Sequence, residues 1–177
     1  MNLKYIKITD PESSEFKKIC ELYEASFSED QRRCIDNKKK LLVKDNYSLY
    51  YICENKKFIG FLIEWKLSTF KFIEHFAVND KYRGNGYGSE ILKNFLTNTP
   101  VILEVGIPKE GEVDNKVINF YEKLGFKLNP YKYIQPAYEA NKNPVPLYLM
   151  TYPEYLDKVK FMLTEQEIHK QVYDHKK

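Results

Sequence analysis

The sequence predicts a mixed α/β domain in which helices flank a central, twisted and mostly antiparallel sheet. Apolar runs at 47–53 and 58–66, followed by a third at 70–78, have the length and spacing of a three-stranded antiparallel meander. A fourth run at 101–105 is rich in branched residues, which is typical of a strand buried on both faces. Gly60, inside the second run, predicts a bulge or the close approach of another backbone. Helical periodicity fills most of the intervening sequence.

Composition narrows the class of protein. A chain of 177 residues is long enough to bury a substantial core, and we expect one domain over residues 1–177. The net charge of +3 is too small to predict binding to nucleic acid or to a membrane. No apolar run reaches the length of a signal peptide or a membrane span. These features predict a soluble, cytoplasmic protein.

The cysteine pattern predicts neither disulfides nor a metal site. Cys20, Cys34 and Cys53 are odd in number and form no CxxC pair. Cys20 and Cys34 neighbour apolar helix positions, so we expect buried free thiols in a reducing compartment.

The N-terminal third predicts a strand followed by two helices. Residues 3–9 alternate apolar and polar side chains, as a half-buried strand does, and a helix is predicted over 14–27. Ser28 and Gln31 have the spacing of a capping box, which predicts the start of a second helix. The three lysines at 38–40 are expected to form a solvated face, with the stem of the first one buried.

The C-terminal part predicts two helices around a last strand. Asp114 is the expected N-cap of a helix that ends at Gly125. A strand is predicted over 147–152. Thr151 and Glu154 then form a capping-box pattern that predicts the start of a C-terminal helix.

Most of the functional information lies in the glycine-rich stretch 83–89, between the strand at 70–78 and a helix predicted through Asn98. Three alternate glycines remove the side chains that would keep a ligand away from the backbone. They also place free amide N–H groups at a helix N-terminus, where the dipole favours an anion. Arg83 adds a positive charge whose fork geometry suits phosphate. The stretch predicts a pyrophosphate cradle, with a glycine-rich surface turn as the alternative.

Two other phosphate-binding motifs fit this stretch less well. A P-loop needs a lysine after its last glycine, and none follows here in that register. Gly84, Gly86 and Ser89 approach the dinucleotide fingerprint, with Glu104 near the position of a ribose-binding acid. In that fingerprint, however, the first glycine follows the strand almost directly, whereas residues 79–83 intervene here.

Two segments carry a family resemblance. Residues 78–88 resemble motif A of the GNAT N-acetyltransferase superfamily, whose core [RQ]-x-x-G-x-[GA] is filled by Arg83, Gly86 and Gly88. Residues 119–126, NFYEKLGF, resemble the end of motif B of the same superfamily. The two motifs occur in the expected order and at the expected spacing.

The resemblance implies a GNAT fold that covers residues 5–126 well, with 127–177 as a less typical C-terminal extension. It implies an enzyme that binds acetyl-CoA between the fourth and fifth strands. The expected reaction is direct attack by a primary amine, from a small molecule or a peptide, in a ternary complex. We expect no metal, nucleic acid or membrane partner, and a monomer or homodimer. The alternative is a regulatory module or pseudoenzyme that binds CoA without turnover.

The resemblance also implies the residues that hold the cofactor. These are Phe76, Ala77, Val78, Arg83, Gly84, Asn85, Gly86, Tyr87, Gly88, Ser89, Asn115 and Tyr121. One departure concerns the asparagine that the family places seven residues before the motif B tyrosine. Position 114 is Asp here, and Asn115 lies one residue nearer to Tyr121.

An acceptor ammonium must lose a proton before it can attack, because a free alkylamine has a pKa of about 10. Glu74 is the expected base, on the face of the central strand that Phe76 and Val78 share. His75 is expected on the opposite face as a structural residue. Glu104, in the middle of an apolar strand, is the alternative carboxylate.

Two further roles follow from the resemblance. A backbone N–H near Val78 would stabilise the oxyanion if the strand bulges there, as it does in the family. Tyr121 occupies the position of the general acid, and its phenol is a competent proton donor to a thiolate.

Four residues are expected near the acceptor. In the superfamily the first two helices lie along the acceptor pocket, so Glu29 and Arg32 are candidates at a charged turn that also holds Asp30 and Arg33, with ordinary surface charges as the alternative. Gln135 and Tyr138 are candidates because they carry hydrogen-bonding ends within an irregular segment.

Overall fold

The computed structural model describes residues 1–108 and 115–174. Within these ranges the chain forms eight strands and five α-helices. The strands are β1 Lys4–Lys7, β2 Tyr47–Glu54, β3 Lys57–Lys66, β4 Lys71–Val78, β5 Val101–Gly106, β6 Lys127–Leu128, β7 Tyr133–Gln135 and β8 Val145–Tyr152. The helices are α1 Ser14–Ser26, α2 Ile35–Leu41, α3 Tyr87–Phe95, α4 Lys116–Glu122 and α5 Lys158–Gln171.

The strands form one sheet in the order β1-β2-β3-β4-β5-β8-β6, with β7 also paired to β8. Among the described strands, β4 and β5 make the one parallel pair. The predicted mixed α/β class with a mostly antiparallel sheet is confirmed. The C-terminal residues are part of this sheet, because β8 lies directly against β5.

Strands β4 and β5 pair over a short distance and then diverge. The parallel register covers 71–73 of β4 and 101–103 of β5. Beyond Ile73 and Leu103 the two strands no longer pair, although β4 continues to Val78 and β5 to Gly106. The divergence opens a fork whose walls are two strands of one sheet.

A β-bulge lies at the base of this fork. In the register between β3 and β4, Ile63 pairs with His75 and Glu64 pairs with Ile73, so Glu74 is an extra residue. The family resemblance implies a bulge near Val78, whereas the bulge between β3 and β4 lies four residues earlier here.

The bulge turns two consecutive side chains to the same face of the sheet. Glu74 accepts a hydrogen bond from Trp65, and His75 packs edge-on against the tyrosine of α1. The expectation that Glu74 shares a face with Phe76 and Val78, opposite His75, is therefore wrong. Strict alternation along a strand fails wherever an extra residue is inserted.

Helices cover both faces of the sheet with apolar side chains. One face packs against α1, α2 and α5, through residues such as Tyr23, Leu41 and Phe161. The other packs against α3 and α4, through Ile91 and Ile118. Gly60 allows a close backbone approach, because a Cβ there would lie 2.3 Å from the carbonyl oxygen of Ala77 in β4. Among the described residues, no helix is long and apolar enough to span a bilayer.

The region between the first two helices differs from the prediction. Ser28 bonds the side chain of Gln31, but residues 29–31 form a short 3-10 helix, and α2 begins only at Ile35. Cys34, expected to be buried, is exposed. Lys38 is 1% exposed, because its ammonium lies 3.2 Å from the centroid of the Tyr23 ring instead of in solvent.

The two C-terminal helix starts also differ. The side chain of Asn115 caps α4 by accepting hydrogen bonds from the backbone N–H groups of Val117 and Ile118. Asp114, the predicted cap, lies outside the described residues. Thr151 donates to the carbonyl of Glu154 instead of capping a helix, and Asp157 caps α5. The expected left-handed Gly125 is confirmed, with φ of 94°.

Candidate active site

A cavity of about 690 Å³ occupies the fork between β4 and β5. Its walls come from the end of α1, from β4 and β5, from the loop before α3, from α4 and from the β7–β8 hairpin. The residues that line it include Phe27, Gln31, Glu74, His75, Phe76, Ala77, Val78, Arg83, Gly84, Gly86, Gly88, Ser89, Glu104, Lys116, Tyr121, Gln135 and Leu147.

The glycine-rich loop forms one end of this cavity. Gly84 and Gly86 have φ of 75° and 82°, a region that side chains other than glycine adopt at a cost. A Cβ at Gly84 would meet nothing within 4 Å, so the backbone there is open to a ligand. Helix α3 begins at Tyr87, and its first N–H groups have no partner within the helix. The loop therefore presents amide donors and a positive helix end to the cavity.

Arg83 is held at the mouth of the loop by two contacts. Its Nε donates to the carbonyl oxygen of Val78 at 2.9 Å, and one of its terminal nitrogens lies 2.8 Å from Asp80. The side chain is about half exposed, at 54%. Its charge is therefore anchored beside the glycines and remains accessible to an anion.

Most of the residues predicted to hold a cofactor line this cavity, but three side chains lie elsewhere. Asn85 donates to the backbone of Arg83, and the Tyr87 hydroxyl donates to Glu54 at 2.6 Å. Asn115 is used as the cap of α4. Gly88 has a further role in packing, because a Cβ there would lie 3.2 Å from the ring of Phe120 on α4.

Glu74 is a buried and fully engaged carboxylate. One oxygen accepts hydrogen bonds from Arg33 Nε and the Tyr138 hydroxyl, both at 2.9 Å. The other oxygen accepts from Trp65 Nε1 at 2.6 Å. Burial alone would raise the pKa of Glu74, but the Arg33 guanidinium lowers it to about 2.

Glu104 is the second carboxylate of the cavity, and its environment is different. The hydroxyls of Tyr133 and Tyr173 both donate to it, Tyr173 at 2.8 Å from each oxygen. Burial raises the pKa of Glu104 to about 8, against the two hydrogen bonds, which lower it. No cation is hydrogen-bonded to it among the described residues, so the ionised form lacks the partner that Glu74 has.

The two carboxylates belong to one hydrogen-bonded network. The hydroxyl of Tyr173, bonded to Glu104, lies 3.4 Å from that of Tyr138, which is bonded to Glu74. Arg33 also donates to the backbone carbonyl of Val172, next to Tyr173. The end of α5 is thereby fixed to the loop before α2 and to both carboxylates.

Tyr121 lies on α4, on the opposite wall of the fork. Its ring packs edge-on against Phe120 and Phe126, with centroids 5.1 and 5.6 Å away. Burial raises the pKa of Tyr121, which keeps the phenol protonated over the physiological range.

His75 is a structural residue in its contacts, as expected, although it also lines the cavity. Its Nε2–H donates to the carbonyl oxygen of Gln31 at 2.8 Å, and burial lowers its pKa to about 4. The neutral imidazole packs between the rings of Tyr23 and Phe27.

The four predicted acceptor residues are spread over three places. Gln135 lines the cavity beside Leu147. Tyr138 is bonded to Glu74 behind the cavity wall. Glu29 and Arg32 line a separate cleft of about 310 Å³.

Sequence reasoning missed the partners that determine the chemistry of the two carboxylates. Arg33 is 41 residues from Glu74, and Tyr173 is 69 residues from Glu104. Neither spacing forms a local motif, and each of these side chains taken alone is an ordinary surface or core residue. The one available signal was the charged turn at 29–33, and it indicated four residues equally as possible acceptor contacts.

Comparison with known proteins agrees with the fold. A family model of the acetyltransferase (GNAT) domain matches residues 45–128. A solved structure from Bacteroides thetaiotaomicron, assigned to the GNAT acetyltransferase family, is 31% identical with a TM-score of 0.87, covering 98% of this chain and 99% of that one. No curated protein matches the sequence significantly.

More distant structures share the fold alone. The ribosomal-protein-S18-alanine N-acetyltransferase of Escherichia coli is 15% identical, with a TM-score of 0.62 over 88% of this chain and 96% of that one. A spermidine N-acetyltransferase chimera of Vibrio cholerae and hSSAT is 13% identical, with a TM-score of 0.61 over 85% and 94%. The fold that this chain shares with these structures is that of an acetyltransferase domain. The chain belongs to the GNAT family of acetyltransferases.

Proposed function

We propose that this protein transfers an acetyl group from acetyl-CoA to a primary amine. The observation that carries the proposal is one continuous cavity that brings together the glycine loop, Tyr121 and Glu104. Amine acetylation needs a site that binds the phosphates of the acetyl donor, a proton donor for the thiolate and a base for the ammonium group. The glycine loop, the phenol of Tyr121 and the carboxylate of Glu104 suit these three roles. The amine and the acetyl donor would meet in this cavity and react directly.

The residues present fit the cosubstrate. The amides of 84–89 and the guanidinium of Arg83 suit two linked phosphates, and Gly84 leaves the backbone open to them. The edge of β4 at 76–78, which no longer pairs with β5, would hold the arm that leads from the phosphates into the fork. When bound, acetyl-CoA supplies an acetyl group activated as a thioester.

Glu104 suits the role of base better than Glu74 does. An alkylammonium has a pKa of about 10, and Glu104 has one raised to about 8. The pKa of Glu74 is lowered to about 2, so proton transfer from the ammonium to Glu104 is far less uphill than transfer to Glu74. We therefore assign the base to Glu104, the alternative carboxylate of the sequence, and a structural role to Glu74.

Tyr121 is assigned as the proton donor to the departing thiolate. A thiolate, whose conjugate thiol has an ordinary pKa of about 8.5, is stabilised by a hydrogen bond from a protonated phenol and can accept its proton as it leaves. Since burial raises the pKa of Tyr121, the donor form persists while Glu104 is ionised. The acid and the base thus hold their required states in the same pH range.

The proposal is tested with the variants Glu104→Gln and Tyr121→Phe. Release of free thiol from acetyl-CoA is followed with a panel of primary amines, and coenzyme affinity is measured by calorimetry. We expect each variant to reduce turnover by about 100-fold or more while coenzyme affinity stays within about two-fold. Matched controls are Glu154→Gln and Tyr155→Phe, which make the same changes at exposed positions.

Two results would contradict the proposal. If the wild type binds acetyl-CoA but acetylates no amine, a coenzyme-binding module without turnover is the better description. If no binding heat appears at millimolar acetyl-CoA, the assignment of the glycine loop is wrong as well.

A further inference from the structure

At the end of the cavity away from the glycine loop, two chain segments that are bonded to each other contribute the lining residues Gln31 and Gln135. Segment 29–37 follows α1, and segment 135–143 follows the start of β7; we call the contact between them the seam. Five of its hydrogen bonds join Gln135 Nε2 to Asp30 O at 3.1 Å, Asn143 N to Asp30 Oδ1 at 2.9 Å, Lys142 Nζ to Arg32 O, and Cys34 N and Asn37 Nδ2 to Glu139 Oε1, both at 3.1 Å.

The seam limits what can enter this end of the cavity. One wall is formed by Phe27 and Gln31, the other by Gln135 and Leu147. Because Asp30, the neighbour of Gln31, is bonded directly to Gln135, the two walls are in contact at this point. An extended polypeptide could not lie between them without breaking several hydrogen bonds. A compact molecule can instead occupy the space beneath the seam.

The charges at this end favour an ammonium group and disfavour a carboxylate. Both carboxylates of the cavity are bonded to residues at this end. Glu74 accepts from Arg33 of segment 29–37, and Glu104 accepts from Tyr133, two residues before Gln135 on β7. The cations among the described lining residues are Arg83, in the loop before α3, and Lys116, in the first turn of α4. Arg33 is close but is already paired with Glu74 at 2.9 Å. When Glu104 is ionised, as the proposed base must be, a carboxylate of the acceptor placed beside it would be desolvated without a partner and repelled by a like charge.

We propose that the acceptor is a compact primary amine that carries no carboxylate, and not an α-amino acid or a polypeptide N-terminus. This inference rests on the proposed acetyl transfer and adds the class of acceptor. Gln135 is the residue that we expect to contact the body of the amine. Its Nε2 is committed to Asp30, so its Oε1 remains as an acceptor of hydrogen bonds.

The experiment compares pairs of acceptors that differ by one carboxylate. The probes are phenethylamine with phenylalanine, and butylamine with 4-aminobutyrate, together with phenylalaninamide and a tetrapeptide with N-terminal phenylalanine. We expect kcat/KM for each plain amine to exceed that of its carboxylated twin by about 100-fold or more. Phenylalaninamide should be a substrate, and the tetrapeptide should react at least 100-fold more slowly than the amide.

The variant Gln135→Arg tests the electrostatic part of the proposal. A guanidinium at this position would pair with a carboxylate, so the ratio between each amine and its twin should shrink by about ten-fold or more. Gln166→Arg makes the same change in charge at an exposed position of α5 and should leave the ratio unchanged. The ratio is measured within one variant and is therefore insensitive to a loss of folded protein.

Failure of this proposal is distinguishable from failure of the proposed function. If phenylalanine or the tetrapeptide reacts as well as its neutral partner, acetyl transfer stands and the acceptor class is wrong. If no probe reacts while acetyl-CoA binds, the transferase assignment fails and the acceptor class fails with it.

Discussion

The hydroxyl of Tyr173 lies 2.8 Å from each carboxylate oxygen of Glu104, although 69 residues separate the two along the chain. The end of α5 thus forms part of the wall around the proposed base. Tyr173 is a positioning residue in this arrangement, because it acts on the acceptor through Glu104. Its hydrogen bonds favour the ionised carboxylate, whereas burial of Glu104 favours the protonated one.

The variant Tyr173→Phe should raise the pKa of Glu104. A base acts in its ionised form, so the rising limb of kcat/KM against pH should move to higher pH, by about one pH unit for a hydrogen bond to a charged group. The pKa of Glu104 also depends on three other groups that face it, namely Tyr133, Glu74 and Arg33. The pH profile of acetyl transfer gives the measurement.

The control for this variant is Tyr155→Phe, at a tyrosine that is 64% exposed. Its profile should overlay that of the wild type. A Tyr173→Phe enzyme with lower activity but an unmoved profile would limit Tyr173 to a packing role.

The variant Glu74→Gln should destabilise the fold strongly. It leaves the buried Arg33 guanidinium without its counter-ion, and breaking a buried pair from one side costs about 3–5 kcal/mol. Urea unfolding at pH 7 measures the loss. Glu12→Gln breaks the exposed pair with Lys39 and should have no measurable effect.

The same carboxylate predicts how stability depends on acid. The pKa of Glu74 is lowered in the folded state from 4.5 to about 2. Its contribution to stability is therefore complete above pH 4.5 and is lost as the pH falls toward 2. Between pH 4.5 and 2, the free energy of unfolding should change less steeply with pH in Glu74→Gln than in the wild type. An unchanged slope would contradict the lowered pKa of Glu74.

The variant Lys38→Met should stabilise the protein at pH 7. Burial lowers the pKa of Lys38 from 10.5 to about 7, so the folded state binds fewer protons than the unfolded state between these values. Wild-type stability should rise with pH across this interval, and the variant should lack this component of the slope. The gain at pH 7 is on the order of a few kcal/mol, because a pKa difference of one between the folded and unfolded states corresponds to about 1.36 kcal/mol.

Lys40→Met, at an exposed position of the same helix, serves as the control for the lysine. It should change neither the unfolding free energy nor its pH slope. A destabilised Lys38→Met protein would instead mean that the contact between the ammonium and the Tyr23 ring outweighs the cost of burial.

The variant Gly60→Ala should be far more damaging than Gly106→Ala. A Cβ at Gly60 would lie 2.3 Å from the Ala77 carbonyl oxygen, whereas one at Gly106 would meet nothing within 4 Å. We expect a loss of about 3 kcal/mol for the first and less than about 0.5 kcal/mol for the second. Urea unfolding measures the stability of the two variants. Equal stabilities would contradict the close packing of β3 on β4.

The strands, the glycine loop and the phenol on α4 could be predicted from sequence, because each is a local pattern. Alternating apolar residues indicate a strand wherever they occur, and glycines before an apolar helical stripe indicate an anion-binding turn. The helix starts predicted from capping boxes at Ser28 and Thr151 were wrong, since the hydroxyls found other partners. A capping pattern is weak where the hydroxyl can form another local hydrogen bond, here to the side chain or carbonyl of the residue three positions on.

The roles of the two carboxylates were decided by tertiary structure. Glu74 and Glu104 are both acidic residues within apolar strands, and nothing beside them in the chain separates an ion-paired carboxylate from a proton acceptor. The approach of Arg33 lowers the pKa of Glu74, and burial raises the pKa of Glu104 despite the hydrogen bonds from two tyrosines. A pKa depends on the distances to distant charges and on the exclusion of water, and both exist only once the chain has folded.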